Sequence, residues 1–116
     1  MTVWVQRELL LPAMPRGIHL ITHRVEQELP ELASVRIGLL HIFIQHTSAS
    51  LTINENADPD VRIDLNAALD RLAPENARWT HTCEGPDDMP AHIRSALTQT
   101  SLSIPIQNGA PALGTW

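Results

Sequence analysis

GLLHIFIQHTSASLTINENADPDVRID, residues Gly38 to Asp64, is the stretch on which the reading of this chain turns. From Ile37 to His46 the apolar residues fall on both alternating faces: Ile37, Leu39, His41 and Phe43 on one, Leu40, Ile42, Ile44 and His46 on the other. Alternation with apolar residues on each side predicts a central strand covered on both faces, with His46 at its end on a buried face. A small polar turn, HTSAS, leads into a short second strand over Ser50 to Asn54. Asp58 followed by Pro59 then signals a helix start, an oxygen acceptor at the N-cap and proline at the first helical position. Val61, Leu65, Ala68, Leu69 and Leu72 supply that helix with an apolar stripe, ending near Ala73 and Pro74.

Working outward, Thr2 to Leu11 predicts a strand stopped by Pro12 and Pro15, with a second strand over Gly17 to Ile21. Thr22 stands as an N-cap before Val25, Leu29 and Leu32 at helical spacing, with Pro30 making that helix short or broken. Trp79 to Cys83 is a candidate strand. The EGPDDMP loop leads into a helix from about Pro90, with Ile93, Ala96 and Leu97 inward. Ser101 to Ile106 and Ala112 to Trp116 predict closing strands around a turn at Gln107 to Gly109. Strand pairs interspersed with three helices predict an α+β, single-domain fold, a largely antiparallel β-sheet with helices packed on it.

Composition narrows the function. The 116 residues with 43% hydrophobic content suffice for one core and not for two ordinary domains. The net charge of −5 includes 8 basic residues, all arginine and scattered from Arg7 to Arg94. A nucleic-acid face needs clustered positive charge, so none is expected. Cys83 is the single cysteine and cannot form an internal disulfide. No charged apolar leader or long uncharged apolar run occurs, and a cytoplasmic protein without membrane attachment is the expectation.

Two polar clusters carry candidate chemistry. Asn54, Glu55, Asn56, Asp58, Asp60 and Asp64 crowd the region after the second strand. Their alternation resembles a calcium loop, but the required glycine is absent and Leu65 falls where the closing glutamate belongs. Asp58 and Asp60 have a sufficient role at the positive end of a helix, whereas Asn54 and Glu55 have no capping duty. In the second cluster His81, Glu84 and His92 surround Asp87 and Asp88. Two imidazoles and a carboxylate suit zinc or another divalent ion, although the spacing matches no diagnostic metal motif. Hydrogen-bonded structural histidines are the competing reading, and an inert thiol is the competing reading for Cys83.

HTSASLTINENADPDVRIDL, HTCEGPDDMPAHIRSAL and SIPIQNGAPALGTW, in this order, make the chain resemble the YjbQ-like family, formerly an uncharacterised protein family and often labelled secondary thiamine-phosphate synthase. The resemblance runs over nearly the whole chain. It implies an α+β fold, a homotrimer, and a weak ability to join a pyrimidine diphosphate to a thiazole phosphate with release of pyrophosphate. It also points to His46, Thr47 and Ser48 of the HTS motif, to Asn54, Glu55 and Asp58 of NENADP, and to His81, Glu84, Asp88 and His92 of the third motif. The domain expected over residues 1–116 stops inside the GTW motif, short of the last strand that relatives carry. Cys83 stands where relatives often have an acidic residue.

Displacing pyrophosphate requires its charge to be neutralised, and a chain without lysine must rely chiefly on a divalent cation, Zn or Mg. The expected site assigns catalytic roles to His46, Glu55 and Ser48. Thr47, Asn54, Asp58 and Asp88 bind a small phosphorylated metabolite, and His46, His81, Glu84 and His92 hold the metal. The alternatives are a metal- or phosphometabolite-binding module without turnover, and a structural reading in which the polar clusters form subunit contacts.

Overall fold

The computed structural model describes residues 2–116. In chain order the elements are α1 (Thr22–Glu28), a 3-10 helix (Pro30–Ser34), β1 (Ile37–Phe43), α2 (Pro59–Leu72), α3 (Asp88–Leu97), β2 (Ser101–Gln107) and β3 (Ala110–Pro111). Helices and an antiparallel sheet in one short chain make the fold α+β. The sheet has the order β1-β2-β3. β2 and β3 are antiparallel, with Ile106 opposite Pro111 and Gln107 opposite Ala110. The chain divides into two compact units, residues 1–40 with 104–115, and residues 41–103 with Trp116.

In the first unit, α1 is short for the reason its sequence suggests. Pro30 has no N–H to continue the helix, and the chain tightens instead into the 3-10 helix, where Leu32 N–H donates to Leu29 C=O at 3.0 Å. Thr22 is the first helical residue rather than the cap; Ile21 holds the N-cap position without a side-chain bond. Val25, Leu32, Leu40, Ile104 and Ile106 are the buried apolar residues of this unit. The turn after β2 is left-handed at Asn108 (φ 49°) and Gly109 (φ 81°). It is anchored by Asn108 N–H to Arg36 C=O and Gly109 N–H to Val35 C=O, both 2.8 Å. Thr2 to Leu11 and Gly17 to Ile21 form no strand, and the residues to Leu11 are exposed except for half-buried Leu9 and Leu11. β-Branched composition is not enough for a strand when no sheet edge pairs with it.

The second unit carries α2 and α3. α2 begins as expected: Asp58 Oδ1 accepts from Asp60 N–H at 2.9 Å and Pro59 takes the first position. None of its residues is buried, however, and Leu72 is 66% exposed. α3 starts at Asp88, two residues before the expected Pro90, and buries Pro90 and Ser95 while Leu97 is 56% exposed. Ile44 N–H donates to Thr100 C=O at 2.9 Å just beyond the ends of β1 and β2. Three further expected strands are not formed. Ser50 to Asn54 reduces to a bridge of Leu51 with Gln99, and Trp79 to Cys83 is irregular. Ala112 to Trp116 is also irregular, the closing strand being Ala110–Pro111. β1 ends at Phe43, so His46 lies beyond it and is exposed rather than on a buried face. Ile37, Leu39 and Phe43 are also exposed, at 81%, 64% and 61%, so β1 is not covered on both sides within one chain.

Candidate functional site

Every expected site residue lies in the second unit, and the structure gathers some of them around α3. Asp88 is the hub. Its Oδ2 lies 2.8 Å from His81 Nε2 and 3.0 Å from His92 Nε2. The two imidazoles meet edge to face, centroids 5.4 Å apart at 72°. Asp88 and His92 are one turn apart at the start of α3, so the helix itself places them on one face. The Asp88 side chain is 16% exposed, those of His81 and His92 38% and 30%. The hydrogen bond from His81, aided by the charges and bond of the two imidazoles and opposed by partial desolvation, holds the Asp88 carboxyl below the usual carboxylate range. Asp88 is therefore an anion here.

His92 has a fixed proton. A carbonyl only accepts, so Nδ1, 2.9 Å from Thr47 C=O, carries the hydrogen. Nε2 then faces the Asp88 carboxylate. A bare nitrogen lone pair opposing a carboxylate oxygen at 3.0 Å is repulsive. That contact is attractive only with a second proton on the ring, making an imidazolium, or with a metal cation shared by the two atoms. Thr47 C=O thus does for His92 what an outer partner does for a ligating histidine, fixing the tautomer and aiming Nε2 inward.

The HTS turn is locked to α3 at two further points. Ser95 Oγ–H donates to Ala49 C=O at 3.1 Å, and the Thr98 and Ser50 hydroxyls are hydrogen-bonded to each other. His92, Ser95 and Thr98 follow at intervals of three along one helical ridge, and Thr47, Ala49 and Ser50 lie along it. Within the turn, Ser48 N–H donates to His46 Nδ1 at 3.0 Å, and Ser48 Oγ is 3.1 Å from the same atom. His46 uses its Nδ1 lone pair in this way, which leaves its proton on Nε2. The ring presents a donor to an incoming anion.

The ligand atoms of His81, Asp88 and His92 lie within 4.8 Å of one another, as do those of His81, Cys83 and Glu84. His46 and Glu55 belong to neither group. Of the expected metal set, His81 and His92 come together with Asp88, Glu84 groups with His81 and Cys83, and the His46 Nδ1 accepts from Ser48 N–H. Glu55 is half-buried beside exposed Asn54, whose Oδ1 accepts from Glu55 N–H at 2.8 Å. Asp58 Oδ1 caps α2 by accepting from Asp60 N–H. Asp88 as hub was open to sequence reasoning through its i,i+4 spacing from His92, once the helix is started at Asp88. The backbone carbonyl of Thr47 left no signal in the sequence.

A family model described as UPF0047 protein YjbQ-like matches residues 7–116. The chain belongs to the YjbQ-like family. Among YjbQ-like relatives, the UPF0047 protein YjbQ of Escherichia coli O157:H7 is 47% identical over 114 residues, covering 98% of this chain and 83% of the relative. The UPF0047 protein sll1880 of Synechocystis is 48% identical over 112 residues, 96% of this chain and 76% of the relative. Among solved YjbQ-like structures, the conserved hypothetical protein TT1486 from Thermus thermophilus superposes with a TM-score of 0.80 at 35% identity, covering 93% of this chain and 81% of that one. An uncharacterized yjbq/upf0047 family protein from Clostridium acetobutylicum gives 0.72 at 42% identity, over 83% and 71%. Among the described residues no helix is long and apolar enough to cross a membrane.

Proposed function

We propose that this protein is a cation-dependent transferase of the thiamine-phosphate synthase type, acting on a small phosphorylated metabolite. The observation that carries the reading is the convergence of two imidazole nitrogens on one carboxylate oxygen at the start of α3. Two histidines and one carboxylate fit a borderline cation such as Zn²⁺ and suit Mg²⁺ poorly, since magnesium prefers oxygen ligands. His81, Asp88 and His92 would hold it. A cation there supplies positive charge to a diphosphate, a role the scattered arginines do not fill.

The residues around it do the rest. Thr47 C=O keeps the His92 proton on Nδ1. His46 offers Nε2–H to a phosphate oxygen, with the Ser48 hydroxyl beside it. Thr47, Asn54 and Glu55 complete the proposed substrate-contacting set. In the proposed coupling, the thiazole nitrogen bonds to the pyrimidinylmethyl carbon, and the carbon–oxygen bond breaks with its electron pair leaving on pyrophosphate. A homotrimer and a cytoplasmic location complete the proposal. The exposed apolar face of β1 at Ile37, Leu39 and Phe43 supports subunit contact.

The test is thiamine phosphate formation from its two halves by purified protein, before and after chelation. Turnover lost on chelation, restored by Zn²⁺, and absent in Asp88→Asn and His92→Ala is the expected result. No product under any ion, with thermal stabilisation by the diphosphate retained, would replace the enzyme by a binding module. The exposure of His46, Thr47 and Asn54 favours that second reading.

A further inference from the structure

Cys83 and Glu84 have no part in the centre on Asp88, yet their ligand atoms and one of His81 lie within 4.8 Å of one another. The backbone makes this so. In an extended chain His81 and Cys83 would share a face and Glu84 would point the other way. Instead Gly85 N–H bonds back to Thr82 C=O at 3.4 Å, and Gly85 takes φ 102°, a conformation that favours glycine. A Cβ at that position would stand 3.1 Å from Asp87 Oδ1. The reversal turns Glu84 to the side on which the thiol and the imidazole already lie. Cys83 and Glu84 are exposed, so small side-chain rotations complete the approach.

We propose that His81, Cys83 and Glu84 form a second cation site, selective for a thiophilic divalent ion such as Zn²⁺, that competes with the centre on Asp88 for the imidazole of His81. Thiolate, imidazole and carboxylate together are a zinc-type set, whereas Mg²⁺ and Ca²⁺ take oxygen ligands. On binding, the sulfur–hydrogen bond is replaced by a sulfur–metal bond and the proton passes to solvent. Three protein ligands leave the remaining position to water. His81 Nε2 is engaged with Asp88 at 2.8 Å, so both sites draw on one imidazole. Each takes a lone pair from that ring, so filling one site weakens the other.

Cobalt(II) is the probe, because a thiolate ligand gives a sulfur-to-cobalt charge-transfer band in the near ultraviolet that nitrogen and oxygen ligands lack. The reduced wild-type protein and His92→Ala are both expected to show that band on titration with Co²⁺. Cys83→Ser is expected to lose it while still binding one equivalent through His81, Asp88 and His92. His92→Ala disables the centre on Asp88 and spares the second site, so failure of one proposal is distinguishable from failure of the other. Should His92→Ala not fold, the comparison of wild type with Cys83→Ser decides alone, since Cys83 is exposed and its replacement leaves the fold intact. A Co²⁺-loaded wild type without the band, or a Cys83→Ser spectrum identical to the wild type's, overturns the inference.

Discussion

Ser95→Ala tests how the candidate site is held in place. Ser95 is 7% exposed, the buried polar residue among those described, and its hydroxyl donates to Ala49 C=O at 3.1 Å. The substitution removes that donor and leaves the carbonyl without it in a confined place. A lost bond of this kind costs about 0.5–1.5 kcal/mol, and an unsatisfied buried group about 1–3 kcal/mol. Local water relieves part of the second cost, so the net loss should be about 1–2 kcal/mol. For a chain of 116 residues, each kcal/mol lowers Tm by about 3–6 °C, which predicts a fall of about 3–12 °C. The same bond ties the HTS turn to α3, three residues along the helix from His92 and two along the turn from the Thr47 carbonyl that orients it. Cation affinity should therefore drop as well, by less than the roughly tenfold or greater loss typical of removing an outer partner directly. Thermal melts by circular dichroism read the first effect and calorimetric Zn²⁺ titration the second. A Tm within about 1 °C of wild type would refute the reasoning, because a hydroxyl as buried as that of Ser95 does not lose its bond at so small a cost.

Other perturbations separate structural from chemical roles. Asp58→Ala removes the cap of α2 and should cost about 1 kcal/mol in a denaturant melt while leaving Zn²⁺ affinity unchanged; a loss of affinity would return Asp58 to the binding site. Gly109→Ala places a Cβ 2.7 Å from Ala33 C=O at φ 81°, and should destabilise by about 2–4 kcal/mol in the same melt; full tolerance would show that the turn is not pinned there. The Asp88 carboxyl titrates below its ordinary range, so its contribution to stability is complete above the unfolded value of about pH 3.9 and disappears as pH falls through the lower folded value. In metal-free acid titrations, Asp88→Asn should flatten that part of the stability profile, and an unchanged profile would show that the carboxylate is not held by the two imidazoles.

What the sequence revealed followed the range of the interactions involved. Asp58 and Pro59 start α2 through contacts within two residues, and Pro30 ends α1 through its own missing N–H, so both boundaries could be read locally. The alternation from Ile37 gave β1, and Asn108–Gly109 gave the turn after β2. Strands were harder, because pairing depends on a remote edge: Thr2 to Leu11 has strand composition and no partner, and Ser50 to Asn54 finds one only at Leu51. At the site, the residue types in the HTCEGPDDMPAHI segment were informative, but starting the helix at Pro90 hid the single turn that joins Asp88 to His92. The motifs alone place Asp88 among substrate contacts and His46 among metal ligands. The structure adds the long-range bond from His92 to Thr47 C=O and the local bond of Ser48 N–H to His46 Nδ1. A backbone carbonyl arriving from 45 residues away leaves no mark on composition or spacing.

The central claim is that His81, Asp88 and His92 are one cation site. Crystals of the full chain grown with Zn²⁺, measured on both sides of the zinc absorption edge, test it most directly. The account predicts an anomalous peak about 2.0–2.2 Å from His81 Nε2, His92 Nε2 and an Asp88 oxygen. Both rings still hydrogen-bonded to Asp88 with no zinc between them would contradict it.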